Sequence, residues 1–197
     1  MSQKINWEKQ WEAFAANFHG GLSHIDLTEY GAPNKTLLLA PGPGFGDLSH
    51  PTTQLMMEIM KGRVTNKNVL DIGSGSGILS IAAAFLGAKR VFGIDIDSEA
   101  VMHGKRNVDL NHLGSIVTIS NKGKPPFSNC VILMNMILSE QREVMKETMA
   151  FRGIFNTWII SGILEEQLPS YVPTLASWGL SPSETHLKDG WAGLICS

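Results

Sequence analysis

Val69-Leu70-Asp71-Ile72-Gly73-Ser74-Gly75-Ser76-Gly77 reads as a buried strand that runs into a glycine turn and then a helix. Further along, Gly93-Ile94-Asp95-Ile96-Asp97 reads as the end of the next strand, closing on an acid. Together they describe the nucleoside-binding corner of a doubly wound α/β sheet. Glycines let a ligand approach the backbone, and a carboxylate after the second strand accepts from ribose hydroxyls. G-x-G-x-G alone is a weak signal and is also met as a structural turn in other α/β proteins. The ordered set of strand, acid, three glycines, helix, strand and acid is far more specific.

The spacing also bears on which nucleoside. A dinucleotide fingerprint is G-x-G-x-x-G/A, with the pyrophosphate at the helix N-terminus. Counted from Gly73 the third position is Ile78, and counted from Gly75 it is Ser80, so neither register fits. Asp71, two residues before the first glycine, sits badly beside a pyrophosphate and suits a ligand with a cationic amino group. S-adenosyl-L-methionine, an adenosine with an ammonium, a carboxylate and a sulfonium, matches that description. Gly73, Gly75, Asp71, Asp95 and the adjoining Ile96 are therefore the first candidate contacts.

Working outward, Trp7, Trp11, Phe14, Ala15 and Phe18 fall on one face of a helix, ended by Gly20-Gly21. Residues 22–34 are turn-rich. Thr36–Ala40 reads as a strand, Pro41–Gly46 as a loop, and a helix starts at Pro51-Thr52 and runs to Lys61-Gly62. Strands and helices then alternate: strand 68–72, helix 77–86, strand 90–96, helix 98–110 and strand 116–119. A loop over 120–129 leads to a fully apolar strand, Cys130–Met134. Beyond it come a polar helix over 138–150, a strand over 155–160, and a helix over 164–176 interrupted near Pro169 and Pro173. The chain ends in a hairpin of 180–187 and 191–196, turned at Lys188-Asp189-Gly190. Such alternation predicts a mostly parallel sheet with right-handed crossovers.

Composition narrows the class. At 197 residues the chain reads as one domain, burying roughly 70% of its unfolded surface. Sixteen basic residues stand against 18 acidic ones, with no basic block to suggest nucleic acid. Two cysteines, Cys130 and Cys196, lie in apolar strand contexts and read as reduced core residues. The six histidines show no metal-ligand spacing, so no metal is expected. No signal peptide or membrane-length apolar run is visible, which points to a cytoplasmic protein without membrane contact.

Methyl transfer from a sulfonium is an in-line displacement that needs a positioned, deprotonated nucleophile more than an acid or a base. For a lysine amine, the ordinary pKa of about 10.4 must fall or the neutral fraction be captured. His50, beside Pro51 at a helix start, is the nearest candidate base but reads more simply as a local hydrogen-bonding residue. Asn135, directly after five apolar residues at a strand end, reads equally as a turn former or a site residue.

The chain resembles the PrmA family, methyltransferases that modify a large-subunit ribosomal protein. The matching stretches are Asn6–Trp11, Pro41-Gly42 with Phe45-Gly46, His50–Thr53, Val69–Ala84, Leu86–Ala88, Gly93–Asp97 and Asn107 to Asn111. Asn135, Ser161–Leu164 with Gln167, and Trp191 complete the set, in the family's order over nearly the whole chain. The resemblance implies a seven-stranded, Rossmann-like class I methyltransferase fold with S-adenosyl-L-methionine as donor. It implies cofactor contacts at Thr53, Gly73, Asp95 and Asn135, places Phe45 and Gly46 beside them, and makes Asn135 the catalytic candidate.

Two departures stand out. Family members carry an amino-terminal domain that recognises the ribosomal protein, and almost nothing precedes the tryptophan helix here. The family's Phe-Gly-Thr-Gly-x-His loop is Phe45-Gly46-Asp47-Leu48-Ser49-His50, so a glycine is replaced by Leu48 and Asp47 adds a charge. The expected organisation is an N-terminal helix and strand, residues 1–40, packed on a methyltransferase domain, residues 41–197. The expected function is transfer of methyl groups to protein amines, a lysine side chain or an N-terminal amine, with a ribosomal protein as the first candidate partner. The alternatives are action on another protein or a small molecule, or a catalytically silent module that binds S-adenosyl-L-methionine.

Overall fold

The computed structural model describes residues 7–15, 17–147 and 157–197. Helix α1 (Trp7–Phe14) leads into β1 (Phe18–His19), β2 (Leu22–Asp26) and β3 (Thr36–Leu39). Then come α2 (Pro51–Met60), β4 (Asn68–Ile72), α3 (Ile78–Phe85), β5 (Arg90–Ile94), α4 (Ser98–Leu110) and β6 (Val117–Ser120). The second half holds β7 (Val131–Asn135), α5 (Leu138–Glu147), β8 (Thr157–Leu164), α6 (Leu168–Ser177), β9 (Pro182–Lys188) and β10 (Trp191–Cys196). Residues 148–150 of the expected polar helix and 155–156 of the expected strand lie outside the described residues.

Seven strands form the main sheet in the order β6-β5-β4-β7-β8-β10-β9. The first five run parallel, β10 pairs antiparallel with β8, and β9 in turn pairs antiparallel with β10. The chain lays down β4, β5 and β6 toward one edge, then returns to place β7 on the other side of β4. That reversal opens a crevice beyond the carboxyl ends of β4 and β7. Side chains alternate between the two faces with a period of two. Val69, Val131, Leu133 and Ile159 join one apolar cluster, whereas Leu70, Ile132, Met134, Trp158 and Ile160 join the other. Helices α2, α3 and α4 contribute to the first cluster, and Tyr171 and Leu175 of α6 to the second.

A separate sheet, β1-β2-β3, puts Ile25, Leu37 and Leu39 into the first cluster. Its β3 edge is closed by Asn111, the C-cap residue of α4, whose side chain accepts from the Leu38 N–H at 2.9 Å and donates to the Leu38 carbonyl at 2.7 Å. An edge strand covered in this way offers no template to another chain.

Several expectations change. The tryptophan helix stops at Phe14, which is 72% exposed, and Trp11 is its buried residue. Phe18 belongs to β1, and Gly20-Gly21, both at positive φ, turns the β1–β2 hairpin instead of capping a helix. The turn-rich region contains β2, which takes its place by pairing with β3. Strand β5 ends at Ile94, leaving Asp95 and Ile96 beyond it. Strand β8 runs on through Ser161-Gly162 to Leu164, because β10 pairs with its extra length. Pro173 does not interrupt α6, and Pro169 falls in its first turn, where no N–H is needed. Among the described residues no helix is long and apolar enough to cross a membrane.

Candidate functional site

Four adjacent strand ends supply the crevice. The loop after β4 folds back on β5, with the Gly73 and Ser74 N–H groups donating to the Ile94 carbonyl at 2.8 and 3.1 Å. Gly75 has φ +52°, and a Cβ there would stand 2.6 Å from the Phe45 carbonyl oxygen, so the position has no room for a side chain. Gly73 is itself exposed, which leaves backbone at the mouth open to a ligand.

Asp95, half-buried just beyond β5, accepts from the Gly75 N–H at 2.8 Å through Oδ2 and from the Asp97 N–H at 3.0 Å through Oδ1. A carboxylate has about four acceptor sites, so two remain for hydroxyl donors. Ile96 stands beside it, 95% exposed. Asp97 turns away to cap α4, accepting from the Glu99 N–H.

The Pro41–Gly46 loop forms the opposite lip. Its Phe45 carbonyl accepts from the Ser76 N–H at 2.9 Å and its Gly46 carbonyl from the Ser76 hydroxyl at 2.5 Å. The Phe45 ring is 58% exposed and packs edge-on to His50, which meets Trp191 in the same way. His50 caps α2, its Nδ1 accepting from the Thr52 N–H at 3.3 Å, so it does serve as a local hydrogen-bonding residue. Partial burial holds its pKa below the usual histidine value, against the pull of Asp47. Asp47 in turn accepts from the Ser49 N–H and hydroxyl, and Leu48 takes φ +72°.

Thr53, in the first turn of α2, is 1% exposed, and no described residue bonds its hydroxyl. Asn135 ends β7 half-buried, in register with Ser161 of β8. Behind it lies a buried polar support. Gln141 of α5 donates to the carbonyls of Met136 and Ser161 at 2.8 and 3.1 Å, while Tyr171 donates its hydroxyl to the Gln141 amide oxygen.

Asp71 lies beneath this surface. It is 1% exposed, and its Oδ2 accepts from the Ser80 hydroxyl at 2.6 Å. Burial lifts its pKa to about 6; the Ser80 bond opposes the rise and the charge of Asp95 adds to it. The Asp71 carboxylate thus lies below the crevice surface, with one oxygen already bonded to Ser80. The structure thus gathers Phe45, Gly46, Gly73, Gly75, Asp95 and Ile96 around one loop, with Thr53 and Asn135 on neighbouring elements and Asp71 below.

The sequence alone does not single out His103 of α4, nor Gln141 and Tyr171. The available signal for the first was His103, Asn107 and Asn111 spaced four apart, a polar row along one helix and its C-terminal cap.

This fold is that of the class I S-adenosylmethionine-dependent methyltransferases. A SAM-dependent methyltransferase from Aquifex aeolicus superposes with a TM-score of 0.58 at 18% identity, covering 74% of this chain and 88% of that one. The family model for ribosomal protein L11 methyltransferase (PrmA) matches residues 4–197, and the chain belongs to that family. Ribosomal protein L11 methyltransferase of Pseudoalteromonas atlantica is 35% identical over 173 residues, 82% of this chain and 58% of the relative. That of Colwellia psychrerythraea is 33% identical over 88% of this chain and 61% of the relative. The crystal structure of ribosomal protein L11 methylase from Lactobacillus delbrueckii subsp. bulgaricus matches with a TM-score of 0.68 at 30% identity, covering 81% and 83% of the two chains. The chain spans 58% and 61% of the length of the two curated relatives named.

The residues present fit S-adenosylmethionine. The Thr53 hydroxyl is a buried polar group without a partner among the described residues, which a polar tail can satisfy. Asp95 retains acceptor capacity, the exposed Ile96 offers an apolar face, and Gly73 leaves backbone bare at the mouth.

Proposed function

We propose that this chain binds S-adenosyl-L-methionine across the ends of β4, β5 and β7 and transfers its methyl group to an amine of a protein, with a ribosomal protein as the first candidate acceptor. The observation that carries the reading is the convergence of Gly73, Asp95 and Asn135 at the ends of three adjacent strands, β4, β5 and β7. In this reading Asp95 accepts from the ribose hydroxyls, Ile96 and Phe45 cover the base, and Thr53 and Gly73 hold the amino-acid tail. The buried Asp71 favours that tail's positive charge from below.

When bound, S-adenosyl-L-methionine supplies a methyl group on a sulfonium, which an amine nitrogen takes by in-line displacement as the carbon–sulfur bond breaks and its electron pair stays on sulfur. In the same reading Asn135 orients the acceptor. Its carboxamide oxygen accepts from a neutral amine and directs the lone pair without carrying a charge that would hold the amine protonated. The acceptor's proton passes to water. His50 has its Nδ1 occupied by the Thr52 N–H and is not assigned as a base. Positioning and desolvation carry the rate.

The names of the similar proteins support a ribosomal acceptor. The altered loop does not argue for a silent module, since Leu48 keeps the left-handed backbone that glycine favours. The test is incubation with methyl-labelled donor and ribosomal proteins from cells lacking this gene. Stable label on a ribosomal protein is the expected result. Label only in small molecules would favour the small-molecule reading, and tight donor binding without any transfer would favour the binding module.

A further inference from the structure

His103 sits in the middle of α4, 5% exposed. Its Nδ1 lies 3.0 Å from the Gly44 nitrogen and its Nε2 lies 2.7 Å from the Ala40 carbonyl oxygen. The Gly44 N–H can only donate, so Nδ1 accepts, and Nε2 carries the hydrogen that is donated to Ala40. One neutral imidazole thus ties both ends of Ala40–Gly44. Gly42 lies against the ring, where a Cβ would come within 2.5 Å of Cδ2, and Trp11 of α1 meets the ring edge-on.

One helical turn on, Asn107 continues the linkage. Its Oδ1 accepts from the Ala40 N–H at 2.9 Å and its Nδ2 donates to the Ser76 carbonyl at 2.8 Å. Ser76 also bonds Phe45 and Gly46, as described above. The two lips of the crevice are therefore joined twice, directly through Ser76 and indirectly through α4. The segment Pro41-Gly42-Pro43-Gly44 contains no regular structure of its own, and its glycines carry high conformational entropy when free. Something must supply its order.

We propose that His103 is a positioning residue for cofactor binding. By bridging Ala40 and Gly44 it fixes the Pro41–Gly46 lip, so that the Phe45 carbonyl stays on Ser76 and the Phe45 ring stays at the rim. The proposal rests on reading the crevice as the S-adenosylmethionine site. A histidine buried for packing alone would be replaceable by an apolar residue of similar size without change in affinity.

The experiment compares His103→Leu, which keeps bulk and loses both bonds, with His103→Gln, whose amide can accept from Gly44 and donate to Ala40. Calorimetric titration with S-adenosylhomocysteine is expected to show Kd raised about tenfold for His103→Leu, the loss of roughly two neutral hydrogen bonds. His103→Gln should recover a good part of it. The KM for the donor should rise in parallel while kcat at saturating donor stays within about twofold of wild type. An unchanged Kd for His103→Leu overturns the proposal, as does equal loss in both variants. Amide exchange in the unsubstituted protein gives a second measure. The Gly44 N–H, bonded to a buried imidazole, should be protected, and free exchange there overturns the proposal without any variant. If the wild type itself fails to bind S-adenosylhomocysteine, the reading of the crevice falls, which is a distinguishable result.

Discussion

The carboxylate of Asp95 accepts from the backbone N–H of Gly75 at 2.8 Å, so the residue expected to take the ribose also locks the glycine loop. Asp95→Asn keeps the shape and removes the charge. A hydrogen bond to a charged group contributes about 1.5–3 kcal/mol, which corresponds to a loss of roughly ten- to hundredfold in donor affinity. Calorimetry with S-adenosylhomocysteine is the measurement, and an unaltered Kd would remove Asp95 from the site.

Thr53 offers a test with opposite signs. Its buried hydroxyl has no partner among the described residues, and leaving such a group unpaired costs about 1–3 kcal/mol. Thr53→Val, similar in volume and without the hydroxyl, should raise the melting temperature of the free protein while weakening donor binding. If both fall together, the hydroxyl is satisfied in the free protein and the inferred role is wrong.

Leu48 has φ +72°, a left-handed backbone that costs an L-residue about 1–2 kcal/mol. Its side chain also packs, partly buried, on the first apolar cluster. Truncation therefore mixes two effects, and a pair of variants separates them. Leu48→Gly and Leu48→Ala lose the same packing to within one methyl, but only glycine relieves the backbone. Denaturant unfolding should find Leu48→Gly more stable than Leu48→Ala by about 1 kcal/mol.

Asp71 sets a pH dependence whose sign follows from burial. Its pKa is raised from 3.8 to about 6 in the folded protein, so between those values the folded state holds a proton that the unfolded state has released. This group's contribution to stability is therefore fully present below pH 3.8 and is lost as pH rises through about 6. Asp71→Asn lacks that titration. The stability of Asp71→Asn relative to wild type should climb between about pH 4 and 6 and level off above, read by urea unfolding at fixed pH values. A flat difference would mean that the carboxylate ionises as freely in the fold as in water.

How much of this was legible beforehand differs from element to element. The strand at 68–72, the helix from Ser98 to Leu110 and the terminal hairpin announce themselves, because apolar period, capping acid and turn residues are local properties. The chain's own residues also carry the likeness to its family, and with it Thr53 and Asn135. The Trp7–Phe18 stripe misled, because helical spacing persists in sequence after Gly20-Gly21 has drawn Phe18 into a hairpin. Strand β8 outran its expected end for a similar reason: its last residues are held by β10, nearly thirty positions later in the chain.

Residues alone thus determined the alternation of elements, the glycine loop and the acid after the second strand, since each depends on neighbours a few positions away. Only the folded chain decided that Asp71 lies under the crevice instead of on it. Only the fold, likewise, brought the imidazole of α4 to grip a loop some sixty positions earlier. Burial and hydrogen-bond partnership arise between segments distant in sequence, and no local spacing encodes which of them will meet.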